Sequence, residues 1–169
     1  GANTVYMPSA LCDQFGATSA YAVQNTSSVD PAQVTVTYSS GETDSATINP
    51  GAKRSFNGCN VNDPGYSGSA TITSTGGDIV VIGKVFGSGN STAFVGATEG
   101  ASTLALPYVR FTTSQWTTGA RQRAYIAVQN VGSDLAANQV VLKYINRDGD
   151  VVGTHTLGAM TNGLKLNSN

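Results

Sequence analysis

The sequence predicts an all-β chain built of two tandem β-sandwich domains, the second short of its last strands. Three observations carry this. Apolar and polar residues alternate, and Gly, Pro, Asn or Asp interrupts the alternation about every eight to twelve residues, the spacing of sandwiches and barrels. The tetrapeptide Ala-Val-Gln-Asn occurs twice, at 22–25 and 127–130, each time with a tyrosine just upstream, Tyr21 and Tyr125. The composition is weighted to 20 Gly, 17 Ser and 20 Thr among 169 residues, with only 11% charged. An average soluble domain has about 25% charged residues. Thr suits half-buried strands, and Gly and Ser suit turns.

Taken in order, the first half offers strands at Thr4–Met7, Ser19–Asn25, Gln33–Ser39, Ser45–Ile48, Lys53–Phe56, Ser69–Ser74, Ile79–Phe86 and Thr92–Ala97. Within the third, Val34, Val36 and Tyr38 share one face and Thr35 and Thr37 the other, because successive side chains of a strand point to opposite sides. Ser40-Gly41 makes one turn. Asn49-Pro50-Gly51 makes another, since Pro presets φ and Gly tolerates the left-handed region.

The second half repeats these landmarks. Thr103-Leu104-Ala105-Leu106-Pro107 echoes Thr4-Val5-Tyr6-Met7-Pro8, and Trp116 stands after its proline much as Phe15 does. The pair suggests aromatic plugs at the ends of the two sandwiches. Gln139 to Tyr144 matches Gln33 to Tyr38, which makes Tyr38 and Tyr144 core or face-packing tyrosines. Asp148-Gly149 takes the place of Ser40-Gly41, and Thr154 to Leu157 matches Ser45 to Ile48. Order is kept while the offset drifts only from about 99 to 109, which is a tandem repeat of roughly 100 residues. The Gly-rich stretch at Glu99-Gly100-Ala101 divides the domains, 1–99 and 100–169.

An opening strand ending in Pro, then Tyr21-Ala22-Val23-Gln24-Asn25, Val34-Thr35-Val36-Thr37-Tyr38, a Pro-Gly turn and Gly65-Tyr66-Ser67-Gly68-Ser69-Ala70-Thr71-Ile72, resembles the tandem β-sandwich repeats of large secreted bacterial cell-surface proteins. That resemblance spans most of 3–86 and 103–158. It implies immunoglobulin-like domains and a structural or adhesive role. The second copy departs from it: Gly158-Ala159-Met160-Thr161 stands where the Pro-Gly turn should be, and counterparts of Ser69–Ser74 and Ile79–Phe86 do not follow. A sandwich stripped of those strands leaves inner faces uncovered and edges unpaired. Three readings remain open: a fragment of a longer protein, a smaller sandwich of its own kind, or strands donated by a neighbouring subunit.

Chemistry is sparse. Cys12 and Cys59 read as one disulfide in an oxidising compartment. No apolar run approaches the roughly 20 residues of a membrane span, and the chain reads as a mature, secreted form. A net charge of −1 gives no footprint for nucleic acid. The lone histidine, His155, has neither a serine elbow nor a metal set around it: Gly65 to Ser69 lacks the last glycine of a nucleophile elbow, and two Cys with one His do not close a zinc site. Asp148 and Asp150 form a weak calcium candidate within Asn146 to Asp150, with an ordinary hairpin turn as the competing reading. Trp116, Tyr108 and Tyr66 are candidate sugar-stacking rings. Lys84 and Lys143 lie in strands, outward-facing or open to an isopeptide crosslink. Asn25 and Asn90 fit the N-glycosylation pattern. No cofactor is expected. The function expected is a non-enzymatic subunit of an extracellular assembly, with copies of itself or neighbouring domains as partners; the other expectation is a carbohydrate-binding module.

Overall fold

The structure, a computed structural model, describes residues 1–87, 89–110 and 124–168. Among them are twelve strands and no α-helix. In chain order they are β1 (Thr4–Cys12), β2 (Ala17–Asn25), β3 (Ala32–Tyr38), β4 (Thr43–Ile48), β5 (Lys53–Asn57), β6 (Tyr66–Thr75), β7 (Ile79–Gly87), β8 (Asn90–Val95), β9 (Ile126–Gln129), β10 (Val141–Ile145), β11 (Val151–Thr156) and β12 (Lys165–Ser168). All neighbouring strands are antiparallel.

The first eight strands form two four-stranded sheets, β1-β6-β3-β4 and β5-β2-β7-β8. One apolar core is shared between them. Val5, Met7, Val34, Val36, Tyr38 and Ile72 come from the first sheet, and Tyr21, Val23, Phe56, Ile79 and Val81 from the second. The alternation read from Val34 to Tyr38 is therefore the pleat of a strand with one face in this core. Tyr21 and Tyr38 stack across the sandwich with ring centroids 6.5 Å apart, and Tyr66 meets Tyr38 edge-on at 6.2 Å.

Two details of this half differ from the expectation. The first strand does not end at Pro8. A register shift between Met7 and Ala10 carries it past the proline to Cys12. A bulge is where a residue without an N–H can sit inside a ladder. The freed Ser9 carbonyl accepts from the Tyr21 hydroxyl at 2.8 Å. Phe15, expected to plug the sandwich end, is 92% exposed at the tip of the β1–β2 turn. The turn is so tight that Asp13, Phe15 and Gly16 all take positive φ, and the ring is turned outward.

The C-terminal half holds two two-stranded sheets, β10-β11 and β12-β9. Leu157 and Met160 are its buried apolar side chains. Thr103 to Pro107, read as the echo of β1, is not a strand, and Leu104 and Leu106 are exposed. In the first half β1 pairs with β6. No described strand of the second half occupies the position of β6, so among the described residues the echo has no strand to pair with.

The repeated asparagine explains the repeated tetrapeptide. Asn25 is completely buried. Its Nδ2 donates to the carbonyls of Asp30 (2.8 Å) and Ile48 (3.0 Å), and its Oδ1 accepts from Ser27 N (2.9 Å). Asn130 does the same with Ser133 O (2.8 Å), Met160 O (2.9 Å) and Gly132 N (3.0 Å). Each carboxamide thus ties the end of one strand to its own turn and to a distant strand. The cage also sets the true alignment. Ile48 corresponds to Met160, not Leu157, because the C-terminal copy bulges between the Leu135–Met160 bridge and the Val141–Thr156 pair.

It follows that the Pro-Gly turn is not lost. Gly51 has φ +68 and Gly163 has φ +82. Asn25 N donates to Ala52 O, and Asn130 N to Leu164 O, both at 3.0 Å. Asn162-Gly163 does the work of Pro50-Gly51, since asparagine before glycine is equally a turn former. The tyrosines upstream are not equivalent. Tyr21 lies in the core, whereas Tyr125 falls one residue out of register and is exposed; Ile126 takes the core position.

Candidate functional site: the open edges and the joint

The described strands of the C-terminal half correspond in pairing to four strands of the first half. β9 and β12 pair as β2 and β5 do, with Gln129 opposite Lys165 as Gln24 is opposite Lys53. β10 and β11 pair as β3 and β4 do. In the first half β3 also carries β6, and β2 also carries β7. Among the described residues nothing pairs with the corresponding edges of β10 and β9. Among the described residues these two edges are therefore without strand partners, as the edge strands of a sheet are.

The inner face behind those edges is also thinner. Tyr21 and Phe56 are replaced by Ile126 and Ser168 at the same register. Ser168 is fully buried, with its Oγ 2.6 Å from the Tyr144 hydroxyl and 2.5 Å from His155 Nδ1. This polar clamp joins β10, β11 and β12. It brings a serine and the lone histidine together, which sequence reasoning missed because they lie on different strands. It does not make a nucleophile: the Oγ is sealed from solvent and shared between two partners, and among the described residues no carboxylate orients the ring.

The two halves touch through a defined joint. β12 packs on β6 and β9 lies beside β1, and the Gln129 side chain of β9 reaches β6. Lys165 Nζ donates to Ser67 Oγ at 2.9 Å, and Ser69 Oγ donates to the Gly163 carbonyl. Gln129 Nε2 lies 3.4 Å from Ala70 O and 3.5 Å from Thr71 Oγ1. Gln129 Oε1 is buried with no partner among the described residues. Ser69, on the outer face of the first sandwich, is buried at this joint. Lys165 is buried too, and desolvation lowers its pKa from the ordinary lysine value.

The residues singled out in the sequence fall as follows. Cys12 and Cys59 form a disulfide that ties the end of β1 to the short 3-10 turn Gly58–Asn60, and a disulfide fits a non-reducing environment. Asn25 is the buried cage residue, and the amide nitrogen that glycosylation would need already donates twice, so the folded chain does not present it. Asn90 begins β8. Asp148 and Asp150 lie in a hairpin turn organised by Asn146, whose Oδ1 accepts from both their amides at 2.9 Å and whose Nδ2 reaches Asp150 Oδ2 at 3.3 Å. Asn146 Oδ1 and Asp150 Oδ2 are thus engaged within the turn, and the exposed Asp148 carboxylate lies 4.0 Å from Arg147 Nε. Tyr66 packs against Tyr38, with its hydroxyl 2.9 Å from Ser39 Oγ, rather than standing as a platform. Tyr108 is exposed, and Arg110 donates to its hydroxyl at 3.3 Å. Lys84 and Lys143 both point to solvent. Trp116 lies outside the described residues. Among the described residues no helix is long and apolar enough to cross a membrane.

No family model matches the chain, and no curated protein matches it. Among solved structures, the crystal structure of Thermotoga maritima 1070 aligns with a TM-score of 0.41 and 13% identity, over 59% of this chain and 96% of that one, a likeness too distant to bear on function.

Proposed function

We propose that the chain is a structural subunit of an extracellular assembly, a filament, sheath, surface layer or adhesin stalk, made of tandem immunoglobulin-like sandwiches at 1–99 and 100–169. The observation that carries this is the pair of open edges on β10 and β9, placed where the first half carries β6 and β7. Strands from a neighbouring subunit that pair with both edges would complete the second sandwich, and a head-to-tail contact of that kind propagates. The likeness to immunoglobulin domains is one of architecture: in the constant-type arrangement the first two strands share a sheet, whereas here β1 and β2 lie in opposite sheets. Low charge suits close packing between copies, since few ions lose water.

Two measurements test this. Electron microscopy of the native protein should show regular polymers. A synthetic peptide copying residues 66–87, which span β6 and β7, should bind the full chain and protect the backbone amides of β10 and β9 from hydrogen exchange. A monodisperse monomer that ignores the peptide would refute complementation. The exposed ring of Tyr108, braced by Arg110, supports a second reading, a carbohydrate-binding module using Tyr108 and Trp116. Specific signals on a glycan array that vanish in Trp116→Ala would favour it.

A further inference from the structure

One face occurs twice in this molecule, once covered and once bare. In the C-terminal half it consists of Ala127, Gln129 and Lys165, the outward side chains of β9 and β12; β9 lies beside β1, and Gln129 and Lys165 reach β6. At the same register in the first half stand Ala22, Gln24 and Lys53. There the face is open to solvent and bordered by the half-exposed Val80 and Ile82.

The hydrogen bonds make the comparison specific. In the covered copy three groups reach across the joint: Lys165 to Ser67, the Gly163 carbonyl to Ser69, and Gln129 towards Thr71. In the bare copy the three corresponding groups are satisfied within their own face. Lys53 Nζ donates to Ser55 Oγ at 3.1 Å, and Gln24 Nε2 folds back onto the Gly51 carbonyl at 3.3 Å. A rotation of two side chains would free all three groups to make the contacts their counterparts make. The opposing strand suits this, because serine and threonine hydroxyls both donate and accept and are short enough for two sheets to approach closely.

We propose that the Ala22–Gln24–Lys53 face is a docking surface for the outward Ser67–Ser69–Thr71 strand of a further sandwich repeat, joined as the two halves of this chain are joined. The inference rests on the reading of the chain as a repeat unit of an assembly. It adds a second contact, distinct from the open edges of β9 and β10. Within one chain the β6 face is already covered by the C-terminal half, so the bare face is left for another repeat.

The test uses the full chain. Gln129→Arg with Lys165→Glu disrupts the covered joint and releases the β6 face. Adding Gln24→Arg with Lys53→Glu stops that chain docking on itself. Mixed with wild-type chain, this fourfold variant is expected to form a one-to-one complex in sedimentation velocity. Lys53 of the wild-type partner should then resist amine acylation, read by mass spectrometry. Ser69→Arg in the released chain, or Gln24→Arg with Lys53→Glu in the partner, should remove the complex. Should the charged changes unfold the chain, Gln129→Ala with Lys165→Ala in their place provides a milder release with the same expected result. A folded, released chain that forms no complex overturns the proposal, and so does a complex that survives both blocking changes. Association through the open edges of β9 and β10 would survive them, so failure of this docking and failure of strand complementation give different results.

Discussion

Replacing Asn25 by aspartate changes one atom group of a completely buried side chain. The carboxylate can still accept from Ser27 N, but it now turns an oxygen towards the carbonyls of Asp30 and Ile48, which Nδ2 had served at 2.8 and 3.0 Å. Two hydrogen bonds are lost, worth about 1 kcal/mol each, and two carbonyls and a charge are left uncompensated in the interior. The expected loss at neutral pH is therefore at least ~3 kcal/mol, which for a urea slope of about 2 kcal/mol/M moves the midpoint by roughly 1.5 M. The sign with pH is fixed by the same geometry. A protonated carboxyl can donate to one of the carbonyls, so the introduced group has a folded pKa raised above its unfolded value near 4. Its contribution is best below that value and is lost as pH rises through the folded pKa. Urea unfolding followed by tyrosine fluorescence, at about pH 4.5 and 7, should show the gap to wild type widening with pH. A loss under about 1 kcal/mol, or a gap that does not change with pH, would refute the cage as the reason for the repeated asparagine.

Other outcomes follow from the same contacts. Removing the disulfide with Cys12→Ala and Cys59→Ala opens a loop with a sequence separation of 47, and the chain-entropy relation gives a loss of about 4 kcal/mol, read by denaturant melts of the intact and substituted chains. Gly58→Ala would drive a methyl group into the backbone carbonyl of Leu11, which cannot swing away, and should cost about 1–3 kcal/mol by the same assay. Burial lowers the pKa of Lys165, so between that lowered value and the ordinary one the unfolded chain binds more protons and stability rises with pH; Lys165→Met should flatten the rise in melting temperature on the alkaline side. Above about pH 10 the trend should reverse, because burial raises the pKa of Tyr21 and Tyr38, and stability held by their neutral hydroxyls is lost as they are forced to ionise.

Much of the first half was legible in the sequence. Strands with one face in a core must alternate, and their turns need Gly, Pro, Asn or Asp, so β2 to β7 fall within a few residues of where alternation puts them. Bulges and tight turns were not legible. Continuation through Pro8 depends on the Ser9 carbonyl finding the Tyr21 hydroxyl across the sandwich. The outward Phe15 depends on positive φ at Asp13, Phe15 and Gly16 within one short turn. Gly158 to Thr161 hid the conserved geometry of the second turn, because Asn162-Gly163 was displaced by a bulge that only strand pairing reveals. The Ser168–His155–Tyr144 clamp was invisible because its members meet only across two sheets.

The sequence by itself determined that this chain is all-β and that one strand-and-turn pattern is written at both Ala22–Asn25 and Ala127–Asn130. Periodicity and composition are properties of neighbours along the chain, and neighbours along the chain suffice for those conclusions. Whether a face is covered is not such a property. Ala22-Val23-Gln24-Asn25 and Ala127-Val128-Gln129-Asn130 are identical, and their asparagines sit in identical cages. Yet Gln24 bends back to its own turn while the half-buried Gln129 reaches into the joint against β6. The tertiary structure decided that difference, because burial depends on what another part of the chain brings to the face.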